Sequence, residues 1–261
     1  MLVKNLNHQQ KYIYDEILKA YHEKLNNTFF IYGHGGTGKS YLWNAIITKI
    51  RSKNEIILAV ASSGIASLLL PKGRTAHSRF RIPLSIDKFS TCHIKKGTQL
   101  CALIEKTSII LWDEAPMTNK YCFEALDKTL QDLKNKNEPF GGMTIVLGGD
   151  FRQILPIITN GSKEDIIDAT ITNSYLWSHF RVLQLSENMR LKRNNITEVE
   201  KQNIEYFSKW LLAVGNGTVE GIKDHENEDA TWIKIPDQFI IRYESNPIES
   251  ISLLIYDDFF K

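Results

Sequence analysis

Hydrophobic positions along this chain change their period several times, and each change marks an element. Over residues 8–25, Ile13, Ile17, Leu18, Tyr21 and Leu25 recur at helical spacing, and Asn7 with Gln10 ahead of them fits an N-cap and capping box. Short apolar runs rich in β-branched or aromatic residues then occur at 28–32, 55–61, 107–112 and 143–147, with a fifth candidate at 181–185. Helical patterns at 40–52, 63–70 and 118–134 separate them. Strands that are apolar on both faces need cover on both. Their alternation with helices therefore predicts an α/β fold, a mostly parallel sheet with helices on both faces. Further along, the spacing predicts a helix at 197–214 and a proline-started helix at 247–257. Trp112 and the stripe Val199, Ile204, Phe207 and Leu211 read as core.

Length and composition narrow the class. The chain has 261 residues, enough for one or two domains at about 100–200 residues each. A hydrophobic content of 43% excludes wholesale disorder, and 32 basic against 30 acidic side chains excludes a histone-like coat for nucleic acid. The near balance hides an asymmetry. Residues 71–106 carry eight basic side chains against Asp87 and Glu105, a net +6, while residues 216–261 carry ten acidic against four basic, a net −6. Three widely spaced cysteines (Cys92, Cys101, Cys122) form no disulfide framework and point to a reducing compartment. Nor do Cys92, His93 and Cys101 have the paired spacing of a metal site. No apolar run approaches the ~18–20 residues of a membrane span. The opening MLVKNLNHQQ lacks the apolar core of a signal peptide. A soluble intracellular protein with no membrane partner is expected.

The chemistry enters at Gly33-His34-Gly35-Gly36-Thr37-Gly38-Lys39-Ser40, which matches G-x-x-x-x-G-K-[ST] between a predicted strand and a predicted helix. In such a loop the backbone N–H groups form an anion nest in front of the positive end of a helix. Lys39 is expected to reach the β- and γ-phosphates and Ser40 to ligate Mg²⁺. A phosphate loop needs a metal-holding carboxylate on a nearby strand, and the run Ile109-Ile-Leu-Trp-Asp113-Glu114 supplies two acids at a strand end. Asp113 would sit in the Mg²⁺ shell and Glu114 would deprotonate the attacking water. Taken alone, the two acids also read as solvated loop residues.

At Asp113-Glu114-Ala115-Pro116-Met117 and Gly148-Gly-Asp-Phe-Arg-Gln153-Ile-Leu-Pro156 the sequence resembles a known family, the petite-integration-frequency (Pif-type) DNA helicases of superfamily one, especially their plant and transposon-associated branch. The resemblance runs from about Leu6 to Arg190 and more weakly through 197–260. It implies a RecA-like lobe with ATP and Mg²⁺ as cofactors. Leu6-Asn-His-Gln-Gln10 is similar to the family's adenine-reading element, with Gln10 as the amide; Gln10 reads equally as the capping-box residue of the first helix. By the same resemblance Gln153 senses the γ-phosphate and Arg190, in Leu185-Ser-Glu-Asn-Met-Arg190, approaches it. Ser63 and Gly64, with His77 and Ser78, resemble segments that touch single-stranded DNA. The stretch from Met117 to Gly142 resembles the family's signature helix and loop. One proline, Pro156, stands where many relatives have two.

The resemblance also gives the basic block a place, an insertion beside the strand-separation point. Arg74, Arg79 and Arg81 surround His77 and Phe80, cations with an aromatic ring that could stack on a base; a solvated charged face is the alternative for each arginine. The implied organisation is a RecA-like ATPase lobe at 1–190, with the basic insertion at 71–106 facing DNA. A helical, acidic connector at 191–261 would lead to a second lobe that this chain lacks. The implied activity is ATP-dependent 5′-to-3′ movement on single-stranded and fork-like DNA with duplex unwinding, in repair, recombination or telomere maintenance. The expected form is a monomer in the nucleus or, alternatively, the mitochondrion. A nucleotide- and DNA-binding module without autonomous unwinding is the competing expectation, and an unrelated phosphate-loop ATPase a third.

Overall fold

The computed structural model describes residues 2–23, 25, 28–134, 136–192, 196–223, 231–241 and 246–256. These fall into two units, Met1–Glu205 and Tyr206–Lys261. In chain order the first unit runs α1 (His8–Glu23), β1 (Thr28–Gly33), α2 (Lys39–Arg51), β2 (Ile56–Ala61), α3 (Gly64–Leu68), β3 (Arg74–Thr75) and α4 (Ala76–Phe80). It continues with α5 (Gln99–Glu105), β4 (Thr107–Asp113), α6 (Lys120–Lys134), β5 (Thr144–Gly149), α7 (Lys163–Asp168) and β6 (Phe180–Leu185). Then come α8 (Glu198–Gly215), the antiparallel pair β7 (Gly221–Lys223) and β8 (Thr231–Ile233), and α9 (Pro247–Ile255). Among the described residues no helix is long and apolar enough to cross a membrane.

Six strands form one sheet in the order β3-β2-β4-β5-β1-β6, and every pairing is parallel. Successive residues of each strand feed opposite faces, as the two-residue period of a strand requires. On one face Phe29, Ile31, Ile57, Ala59, Ile109, Leu111 and Val146 pack with Ile13 and Ile17 of α1 and Leu42, Trp43 and Ile46 of α2. On the other, Phe30, Leu58, Val60, Ile110, Trp112, Ile145 and Leu147 pack with Phe123, Leu126 and Leu130 of α6. The predicted α/β architecture is the observed one, and Trp112 is core.

The short elements β3, α4, α5 and α7 were absent from the sequence pattern. Each is two to seven residues long, too short for a hydrophobic period to develop. One expectation is corrected. The stripe on α8 is not core, since α8 buries none of its side chains and Val199 is 67% exposed. Within the second unit Phe207 instead meets Phe239 edge-to-face at 4.8 Å, beside Tyr206 and Trp210.

Parallel topology brings the carboxyl ends of the strands to one edge, where open α/β sheets bind ligands. The loop after β1, the acids ending β4, the turn after β5 and the segment after β6 all lie there. β5 lies between β1 and β4, and Gly149 at its end leaves room for the turn that follows β4. A Cβ there would lie 2.3 Å from Pro116 Cδ, in the turn that follows the acids.

A buried carboxylate ties down the far side of α6. Asp127 accepts hydrogen bonds from the Phe140 backbone N–H, from the Tyr175 hydroxyl at 2.7 Å and from Gln131 Nε2 at 2.9 Å. Phe140 stands at φ 53°, a conformation held by this contact network. Burial first, and then the Asp127 carboxylate, push the Tyr175 phenol upward. Asp127→Ala leaves the buried Phe140 N–H unpaired and is expected to cost about 1–3 kcal/mol in denaturant unfolding, with Asp127→Asn milder because its one oxygen still accepts that N–H.

Candidate nucleotide site

The loop from Gly33 to Gly38 leads directly into α2, whose N-cap is Gly38 in the left-handed region at φ 80°. Glycine is required there twice over, because a Cβ would also lie 2.4 Å from Gln10 Nε2. Lys39 is buried, and its ammonium donates to the Gly33 carbonyl, back across the loop. A cavity of about 410 Å³ opens in front, lined by His34, Gly35, Gly36, Gly38, Lys39, Ser40, Asp113, Glu114, Gln153, Met189 and Arg190. Four separate chain segments therefore converge on one concave space.

The two acids differ in setting. Asp113 is 5% exposed, and its Oδ1 is buried without a hydrogen-bond partner. Burial pushes its carboxyl above the ordinary range, while the Trp43 indole and the Lys39 ammonium pull it back. Glu114 is half-buried and also raised, by desolvation first and then by the Asp113 and Asp150 charges, against the pull of Lys39. It stands in the left-handed region at φ 52°, ψ 40° and begins the Ala115–Met117 turn. Asp150, just after β5, shows the opposite balance. Burial raises it, but hydrogen bonds from Arg152 outweigh burial and hold it below the ordinary range. Arg152 Nε donates to Asp150 Oδ1 at 2.9 Å and its guanidinium lies 5.2 Å from the Tyr32 ring centroid. This clamp fixes the turn from which the exposed Gln153 reaches the cavity, with the Gln153 N–H on the Asp150 carbonyl at 3.1 Å.

Arg190 is exposed at the cavity wall, its backbone N–H donating to Asn188 Oδ1 at 3.0 Å. The Met189 N–H donates to the Gly36 carbonyl at 2.8 Å, which docks the segment after β6 on the phosphate loop. Sequence reasoning missed Asn188, Met189, Asp150 and Trp43 here. Asn188, Met189 and Asp150 lie inside the motifs quoted for Arg190 and Gln153 but were given no role of their own, and Trp43 carried no local signal.

Gln10 fulfils the capping-box expectation. Its Oε1 accepts the Asn7 N–H at 3.1 Å, and the Asn7 side chain accepts the Gln10 N–H at 2.7 Å. The other end of the same amide donates to the Thr37 carbonyl at 3.2 Å. At 1% exposure, both edges of this amide are engaged within the protein, and Gln10, Gly33 and Thr37 stay behind the cavity wall.

The residues expected to face DNA are divided. Ser63 caps α3, accepting the Ala66 N–H at 3.1 Å, and Gly64 beside it is exposed. Arg74, Ser78 and Arg81 are exposed; His77 and Arg79 are half-buried, with burial lowering the pKa of each. Phe80 is a correction. It is 0% exposed, packed 6.2 Å from the Trp112 ring, so it stacks in the core and not on a base. In this five-residue helix Ser78 faces solvent, while Ala76 and Phe80 occupy the buried face.

The wider comparisons agree with this geometry. The PIF1-like helicase family matches residues 5–225. The ATP-dependent DNA helicase PIF1 of Emericella nidulans is 33% identical over 57% of this chain and 20% of its own length. That of Candida albicans is 28% identical over 72% of this chain and 21% of its own. A crystal structure of Bacteroides Pif1 bound to single-stranded DNA superposes with a TM-score of 0.62 at 25% identity, covering 79% of this chain and 46% of that one. The chain thus spans about a fifth of those two curated relatives and about half of the solved one. With the family match running from the capping box through the phosphate loop, both acids, Gln153 and Arg190 into α8, this chain belongs to the PIF1-like helicases.

Proposed function

We propose that this chain is the nucleotide-hydrolysing lobe of an ATP-dependent DNA helicase. The observation that carries the reading is the buried, unpartnered Asp113 Oδ1 beside Lys39, in a cavity that also holds Ser40, Glu114, Gln153 and Arg190. A buried acceptor oxygen without a donor is a ligand for a hard cation, and with the Ser40 hydroxyl it fits Mg²⁺. Bound with the phosphates, Mg²⁺ neutralises charge on the phosphoryl oxygens.

The protein's own groups do the rest. Loop N–H groups and the α2 terminus hold the phosphate chain, and Lys39 swings from the Gly33 carbonyl to the β- and γ-oxygens. Glu114, its carboxyl raised by desolvation above the ordinary range, takes a proton from the attacking water as the new O–P bond forms. The bond from the γ-phosphorus to its bridging oxygen breaks, and ADP leaves with that oxygen. Gln153 orients the water and γ-phosphate, and Arg190 forks onto the equatorial oxygens.

Arg74, Arg79 and Arg81 supply sequence-independent phosphate contacts to single-stranded DNA near Ser63, Gly64, His77 and Ser78. Residues 191–261 act as the connector toward a second RecA-like lobe, with which the full motor moves 5′-to-3′ and opens forked duplexes in the nucleus or mitochondrion. The test is phosphate release by the purified chain with and without oligothymidine. DNA-stimulated turnover supports the reading. Binding of nucleotide and DNA with no turnover assigns the chain as a binding module.

A further inference from the structure

We propose that Ser62 is a positioning residue that sets the Glu114 turn and links it to the Ser63-Gly64 segment, so that single-stranded DNA at that segment changes nucleotide affinity in the cavity beyond β4. The inference rests on the proposal above that this lobe takes both ligands. Ser62 is the first residue after β2, and β2 pairs with β4 up to Ala61 opposite Asp113. Its position next to the acids therefore comes from sheet pairing and not from chain proximity.

The Ser62 hydroxyl uses its one donor and both acceptor positions, and each partner belongs to or borders the acid turn. The Ser62 hydroxyl donates to the Glu114 carbonyl at 2.6 Å. It accepts from Trp112 Nε1 at 3.0 Å and from the Thr118 hydroxyl at 2.7 Å. The Ser62 N–H donates to the Asp113 carbonyl at 3.1 Å. Residues 112, 113, 114 and 118 are thereby held by one side chain and its own amide. Glu114 most needs such holding, because a non-glycine residue at φ 52° persists only where its surroundings over-determine it.

The other side of Ser62 leads away from the nucleotide. The next residue, Ser63, caps α3 and opens the exposed Gly64 turn. Ser62 also borders a second cavity of about 380 Å³, shared with His77, Met117, Thr118 and Cys122. Consecutive Cα atoms are held about 3.8 Å apart by the peptide bond. Displacement of the Ser63 cap by a bound strand therefore bears first on Ser62, and through its hydroxyl on Glu114. A serine acting only as structural mortar would set stability without linking the two ligands.

The experiment measures that linkage in the whole chain. A fluorescent ATP analogue with Mg²⁺ is titrated with and without saturating oligothymidine, and oligothymidine with and without the analogue; a true coupling gives the same factor both ways. Wild type is expected to show a factor of about 5–150-fold. Ser62→Ala, and Thr118→Val as a second variant that keeps Ser62 itself, are expected to bring it toward one with a cooperative melt retained. Ser62→Thr keeps the hydroxyl and is expected to keep the factor. Alanine and valine variants that retain the wild-type factor overturn the proposal, whatever their melting temperatures; so does a wild-type factor of one. A wild-type chain that binds neither ligand overturns the functional proposal as well, and that failure is read without any variant.

Discussion

Lys39→Ala is expected to lower turnover by about 10²–10³ and to weaken binding of MgATP. The Lys39 ammonium is the buried cation at the mouth of the phosphate loop, donating to the Gly33 carbonyl and close enough to pull down both Asp113 and Glu114. Its loss acts twice. Phosphate oxygens lose a preorganised donor, an effect of about 10²–10³ in rate for one group of this kind. The two carboxyls, already raised by desolvation, lose an opposing charge and rise further. Residual activity, which requires Glu114 as a base, should therefore have its acid limb displaced toward higher pH. Phosphate release measured across pH, with a fluorescent-analogue titration alongside, checks both effects. Wild-type turnover in Lys39→Ala, or an unmoved acid limb, contradicts this account of the site.

The arrangement around Lys39 was legible in the sequence for a local reason. A phosphate loop must be glycine-rich at fixed spacing and must join a strand to a helix, so its chemistry and its structure are written in the same eight residues. The acids at 113 and 114 were legible because the apolar run before them ends in them. Readings failed where the deciding partner lies far along the chain. Nothing near Gln10 signals that its second amide edge meets the Thr37 carbonyl, 27 positions on. Phe80 read as a free aromatic among arginines because a five-residue helix is too short to reveal which side faces Trp112. The α8 stripe has the right period for a buried face, but a period specifies a face and not what covers it. Ser62 carries no motif; its role emerges only when β2 is laid beside β4.

Glu114→Gln separates catalysis from binding and stability in one substitution. The amide keeps the size of the side chain and the backbone bond from Ser62, so MgATP affinity should stay near wild type. Turnover should fall by about 10²–10⁴, the usual range for removing a positioned general base. Stability should move the other way. Burial and the Asp113 and Asp150 charges raise the Glu114 carboxyl, so its ionised form opposes folding at neutral pH. Between the raised folded value and the ordinary value near 4.5, the folded lobe holds a proton that the unfolded chain has released. Within that window the native state binds more protons, so the contribution of Glu114 makes the lobe more stable as pH falls. The glutamine variant lacks this dependence. Its melting temperature should exceed that of wild type above the folded pKa, and the gap should narrow as pH drops toward 4.5. Paired thermal melts across that range, with turnover measured at neutral pH, decide the matter. A gap that does not change with pH would show that Glu114 is not held in the electrostatic setting described, and retained turnover would remove it as the base.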